Sequence, residues 1–227
     1  MNGQGNRSKW LTVVGYVLTL MLVWSNGVTA GSPTNQIPHL SIPILGTSLG
    51  EQSQPVGIVC QIFIDLRERQ DHNGLQIQFY TGPGKFSLFA RQAIHHATTR
   101  AFELANLPSD SWTVLLQVPY SGLTVYGESL SAMVALSVVA MAKGEPILEG
   151  RALTGTITDQ GAIGAVGGLQ LKILAAYDNH FQRVLIPAVY DIREDDWRTP
   201  FLMHVSPVTT IEEAYLGLTG HPLLALS

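Results

Sequence analysis

Charge is scarce in this chain. Only 13% of its 227 residues are charged, and the 13 lysines and arginines form no run or stripe. Nucleic-acid binding needs clustered basic side chains to neutralise phosphates, so that class is excluded. Cysteine is nearly absent: Cys60 stands alone, no internal disulfide can form, and no Cys/His spacing suits zinc. A phosphate loop is also missing. "TGPGKFS" at 81–87 carries a Gly-Lys pair, but Phe79 occupies the position where that motif needs its first glycine. The segment reads as a turn between a strand and a helix, and the chain shows no nucleotide site of its own. His95 and His96 are adjacent on a predicted helix and diverge by about 100°, so they cannot share a metal as a pair. One of them is expected to face water and the other the core. The acidic residues of "REDDW" at 193–197, and Asp65, Glu68 and Asp71, read as solvated loop and hairpin-end charges. No metal and no cofactor are expected.

Apolar residues are abundant, at 46%. They suffice for one domain with a core. Arg7 and Lys9 precede an apolar run from Trp10 to Trp24, followed by "SNGVTAGS" with small residues at Val28 and Ala30. This is the pattern of a signal peptide over 1–30, cut after Ala30. The alternative is an uncleaved membrane anchor over 10–28. Either places the folded part outside the cytosol, in the periplasm or the extracellular space. Residues 31–55, rich in Pro, Ser and Gly, read as a linker into an edge segment, and 56–220 as the domain.

Within that domain, "GIVCQIFIDL" and "LQIQFY" read as strands joined in a hairpin through Asn73-Gly74. "SLFARQAIHHATTRAFELANL" has helical spacing, with Phe89, Ala93, Ala97, Ala101 and Leu104 on one face. "SWTVLLQVP" is a strand. A helix is expected over about 129–143, ended by Gly144 and Pro146. "ALTGTIT" reads as a strand, "DQGAIGAVGG" as a Gly-rich hairpin and loop, and "LQLKILAAYDNH" as a helix. Short strands at "RVLIP" and "MHVSPV" and a helix at "TTIEEAYLGL", capped by Thr209 or Thr210, complete the chain. The class is α/β, a single compact mixed-sheet domain.

Three residues in this pattern have chemical potential. Ser129 opens the helix over 129–143, Thr154 lies on the strand "ALTGTIT", and Lys172 sits in the otherwise apolar helix "LQLKILAA", 43 residues after Ser129. A serine needs a base within reach to become a nucleophile. A lysine can be that base once burial has lowered its pKa. The structural alternative is that Ser129 caps its helix, Thr154 is an ordinary strand residue and Lys172 reaches water.

"GESLS", "TGTIT" and "GGLQLK" fall into register, without a gap, on motifs of a known family. The chain resembles the proteolytic domain of Lon-type serine peptidases, over roughly residues 57–218. Members read Gly-Pro-Ser-Ala-Gly at the nucleophile, then Thr-Gly-Glu-Ile-Thr, then Gly-Gly-Leu/Val-x-x-Lys. The resemblance implies that Ser129 is the nucleophile, Lys172 the general base and Thr154 the hydroxyl that orients the lysine. Gly167 and Gly168 then form the loop before the base. It also implies a compact α/β domain, unfolded protein or peptide as substrate, and a homo-oligomer, often a hexameric ring. With no ATPase module in the chain, a separate unfolding partner is expected for folded substrates. This chain departs from the pattern with Glu128 for proline, Leu130 for alanine, Ser131 for glycine, Tyr126 for aspartate and Thr156 for glutamate. A carboxylate at Glu128 would favour the charged ammonium if it faced Lys172. Ser131 is a rival hydroxyl. Other domains of this fold, such as the N-terminal part of magnesium-chelatase-like proteins, lack the dyad. A non-catalytic binding or scaffolding module is therefore the alternative function.

Overall fold

The structure, a computed structural model, describes residues 39–189 and 202–224. The chain divides into two units, Met1–Gln36 and Ile37–Ser227, and every described residue belongs to the second. The segment read as a signal peptide over 1–30, or alternatively as an anchor over 10–28, and the acidic "REDDW" all lie outside the described residues. Among the described residues, no helix is long and apolar enough to cross a membrane.

A four-stranded mixed sheet has the order β1-β2-β5-β3, from β1 (His39–Leu49), β2 (Pro55–Glu68), β3 (Gln76–Phe79) and β5 (Trp112–Gln117). β1 and β2 form a long antiparallel hairpin, β2 pairs antiparallel with β5, and β5 pairs parallel with β3. Two expectations are corrected here. Residues 39–49 are the edge strand β1 rather than linker, so the domain begins well before residue 56. Pro43 is compatible with this because an edge strand can do without one ladder N–H. Nor do β2 and β3 make a hairpin: β5 lies between them. Local turn chemistry at Asn73-Gly74 reverses the chain, but Ile77 and Phe79 reach the core beside β5.

Helix α1 (Leu88–Leu104) starts at Ser87, whose hydroxyl accepts from the Ala90 N–H. That cap is the role of the serine in "TGPGKFS". The buried face of α1 is Ala90, Ile94, Ala97, Thr98, Ala101 and Phe102. It is set one residue along from the expected stripe, and Phe89 is 56% exposed. His95 and His96 both lie on the open face, because Ile94, Ala97 and Thr98 already fill the inward positions. Asp65 accepts from His39 across the β1–β2 pair, and Asp71 from Arg69.

Helix α2 (Ser131–Lys143) is buried on all sides from Ser131 to Ala140, as its unbroken apolar run dictates. It fills the space between the four-stranded sheet, α1 and α4 (Ile211–Thr219). Truncating a core side chain such as Leu136 to alanine there costs about 2–5 kcal/mol. Gly144, in the left-handed conformation, ends α2. Thr210 caps α4 by accepting from the Glu213 N–H. A second, parallel sheet has the order β11-β10-β7, from β7 (Arg151–Leu153), β10 (Arg183–Pro187) and β11 (His204–Val208). Helix α3 (Leu169–Asp178) packs Leu169, Ile173 and Ala176 onto it in a smaller core with Leu45, Val184 and Ile186. Two short ribbons complete the fold: β4 (Lys85–Phe86) with β6 (Thr124–Val125), and β8 (Thr156–Ile157) with β9 (Ile163–Gly164).

Candidate active site

Ser129 stands in the turn between β6 and α2, two residues before the helix begins. Helix α2 has Leu130 at its cap position with no side-chain cap bond, so Ser129 is not spent as a cap. The turn is held by its neighbour in the sheet. The Ser129 carbonyl accepts from the Gly155 N–H at 2.8 Å and from the Thr154 hydroxyl at 3.4 Å, and the Ala132 N–H donates to the Gly155 carbonyl at 3.1 Å. Thr154 and Gly155 interrupt the strand expected over "ALTGTIT", separating β7 from β8. The Gly155 backbone is thereby free to bond the serine turn, while the Thr154 N–H still donates to the Leu185 carbonyl of β10 at 3.1 Å. Among the described residues, the N–H groups of Ser129 and Leu130 have no acceptor.

Lys172 lies in the first turn of α3, just after Gly167 and Gly168. Gly168 precedes the helix in the left-handed conformation (φ 65°), which glycine adopts without the steric penalty of a side chain. Lys172 is 4% exposed. It does not snorkel to water. Its amine donates to the Thr154 hydroxyl at 3.3 Å. Burial, with no countering negative charge, pushes its pKa down to about 8.

Ser129, Lys172 and both glycines line one cleft of about 980 Å³. The remaining walls come from Ile44–Leu49 on β1, Ile58 and Cys60 on β2, Phe89 on α1, Leu130 at the cap of α2, and residues 123–128 and 165–166. Leu49, Phe89 and Tyr126 stand exposed on it, at 72%, 56% and 75%, giving the cleft an apolar rim. No hydrogen bond joins the Ser129 hydroxyl to the Lys172 amine; Thr154 bonds to both residues, through the lysine amine and the serine carbonyl.

The departures from the family pattern fall into place individually. Glu128 is exposed and makes no ion pair among the described residues, so it does not hold Lys172 charged. Leu130 turns into the main core. Ser131 is 1% exposed within α2 and does not line the cleft. The β1 wall went unanticipated because prolines at 38 and 43 suggested a linker; the alternation of Leu40, Ile42 and Ile44 was the signal for a strand. Cys60 also lies on the cleft, and its burial raises the thiol pKa, which keeps it protonated and a poor nucleophile. Among the described residues, no group of three or more His, Cys, Asp and Glu side chains could hold a metal ion.

Residues 85–213, more than half of the chain, match the family described as the Lon protease (S16) C-terminal proteolytic domain. Lon protease 1 of Sorangium cellulosum is 31% identical over 109 residues, covering 47% of this chain and 13% of its own length. The archaeal Lon protease of Methanothermobacter thermautotrophicus is 30% identical over 105 residues, covering 46% and 16%. The Lon protease of Rhizobium meliloti is 32% identical over 138 residues, covering 59% and 17%. The chain thus spans a small fraction of these relatives. It belongs to the family of Lon protease C-terminal proteolytic domains.

Proposed function

We propose that this domain is a serine endopeptidase that hydrolyses peptide bonds in unfolded proteins or peptides with a Ser129–Lys172 dyad. The observation that carries the reading is a buried lysine, hydrogen-bonded to Thr154, on the same cleft as a half-buried serine outside any helix. Neutral Lys172 takes the proton as Ser129 Oγ attacks the peptide carbonyl carbon. The oxyanion that forms is stabilised by the unpaired N–H groups of Ser129 and Leu130. The tetrahedral intermediate collapses, the C–N bond breaks, and the Lys172 ammonium returns its proton to the departing amine. Water then attacks the Ser129 ester as Lys172 takes its proton; the bond from Ser129 Oγ to the acyl carbon breaks, the carboxylic acid product leaves, and the Lys172 ammonium returns the proton to Ser129. The Thr154 hydroxyl directs the amine, and the serine closes on it by side-chain rotation when substrate fills the cleft, since such bonds tighten in the productive complex. The apolar rim of Leu49, Phe89 and Tyr126 receives apolar side chains of an extended substrate. Folded substrates require a separate unfolding partner, and by family likeness the domain assembles with copies of itself.

The missing Ser129–Lys172 hydrogen bond favours a second reading, a binding module in which the same cleft holds peptide without cutting it. Hydrolysis of an unstructured protein without nucleotide separates the two. Cleavage by the wild-type chain, lost in Ser129→Ala and Lys172→Ala with folding intact, supports the peptidase. Peptide retained on the cleft without cleavage supports the binding module.

A further inference from the structure

The turn of α3 that carries Lys172 rests on β2 at Gly57. A methyl group added to Gly57 would stand 1.9 Å from the carbonyl oxygen of Leu171, 2.6 Å from its carbonyl carbon and 2.9 Å from the Ala175 Cβ. Two of those three atoms are helix backbone, which no side-chain rotation can move aside. Any Cβ at this position must lift the helix. Leu171 precedes the lysine directly. The start of α3 is seated against the same hairpin: a Cβ on Gly168 would meet the Thr47 methyl at 2.7 Å.

We propose that Gly57 is a positioning residue for Lys172: having no side chain, it lets α3 settle onto the β1–β2 hairpin closely enough to hold the amine against Thr154 inside the cleft. Gly57 touches neither substrate nor the reacting atoms. Its consequence for rate rests on the peptidase reading, but its effect on the lysine can be read without turnover.

The groups around the amine make that readout clean. β2 offers Cys60, and the turn before α2 offers Tyr126 and Glu128, both exposed. β1 contributes the uncharged Thr47 and Ser48, with His39 at its remote end, and the end of β7 contributes Thr154. On α3 itself, Tyr177 and Asp178 lie at the far end, and Arg183 opens β10 just beyond them. Burial alone accounts for the lowered pKa of Lys172, so lifting the helix to admit water must raise it.

The test is a titration of lysine labelled with carbon-13 at Cε, followed by NMR from about pH 6 to about pH 12. Lys172 is one of four lysines and is assigned by its loss in Lys172→Met. In the wild-type chain it should titrate at about 8. In Gly57→Ala it should move up by about one unit or more, and in Ala175→Val, which presses on the same contact from the helix side, by less in the same direction. Gly161→Ala is the control. Its Cβ, at a left-handed position (φ 80°), would meet the Leu104 side chain at 2.8 Å, away from the cleft, so it should lower stability and leave Lys172 where it was. In an active chain, Gly57→Ala should also lower kcat about tenfold or more at neutral pH with KM changed less than about twofold. A folded Gly57→Ala whose Lys172 titrates as in the wild type overturns the proposal, as does an equal shift in Gly161→Ala. If Gly57→Ala does not fold, an unshifted Lys172 in Ala175→Val overturns it. A low-titrating wild-type lysine that Gly57→Ala raises, in a chain that cleaves nothing, upholds Gly57 while removing the peptidase reading.

Discussion

The Lys172 amine donates to the Thr154 hydroxyl at 3.3 Å, and that hydroxyl in turn lies 3.4 Å from the carbonyl of Ser129. One side chain therefore ties a buried amine on α3 to the backbone of the serine turn before α2. Replacing Thr154 by valine keeps the shape and removes both bonds. Hydrolysis should fall about tenfold to a hundredfold, mostly in kcat, because the amine loses its direction. Thr154→Ser should restore most of the rate. Steady-state kinetics on one fluorogenic peptide checks both variants.

The lowered pKa of Lys172 sets the pH dependence of the proposed activity. The base works only when neutral, so kcat/KM should rise with pH, close to tenfold per unit below about 8, and level off above it. A profile flat from about pH 6 to about pH 9 would remove Lys172 as the base.

The same burial makes Lys172 a burden on the fold. Its folded-state value, about 8, lies below the ordinary 10.5, so between those values the unfolded chain holds a proton that the folded chain has released. Stability should rise with pH across that window, and the full penalty applies below about 8. Lys172→Met should abolish hydrolysis and stabilise the chain at pH 7 by about 1–3 kcal/mol. The gain should fade by about pH 10.5. Urea midpoints at neutral and alkaline pH measure it.

Neighbours that depart from the family pattern should matter little. Ser131→Ala removes a hydroxyl enclosed in α2 and should leave hydrolysis unchanged. Glu128→Gln removes an exposed, screened charge and should move the rise of kcat/KM toward pH 8 by less than about 0.3 unit. Loss of activity in Ser131→Ala would transfer the nucleophile's role to that residue.

Much of this site was legible in the sequence. "GESLS", "TGTIT" and "GGLQLK" announced Ser129, Thr154 and Lys172, and the apolar helix around Lys172 announced its burial. Segments with strong periodicity, such as α1, β5 and α3, were also recognisable, although the buried stripe of α1 was misplaced by a residue. Long-range pairing was not. Asn73-Gly74 signalled a local reversal, yet β3 pairs with a strand more than thirty residues on, a choice made by core packing that no local turn records. The prolines at 38 and 43 obscured β1, the strand that walls the cleft. The clash that fixes Gly57 against α3 exists only once the two elements meet.

The claim that Ser129 is a nucleophile can be tested most directly with a peptidyl boronate. Attack by an activated serine converts its boron from trigonal to tetrahedral, which boron-11 NMR resolves. The wild-type chain should give the tetrahedral signal, and Ser129→Ala should give only the trigonal one. A folded wild-type chain that binds the boronate yet leaves its boron trigonal would contradict the account.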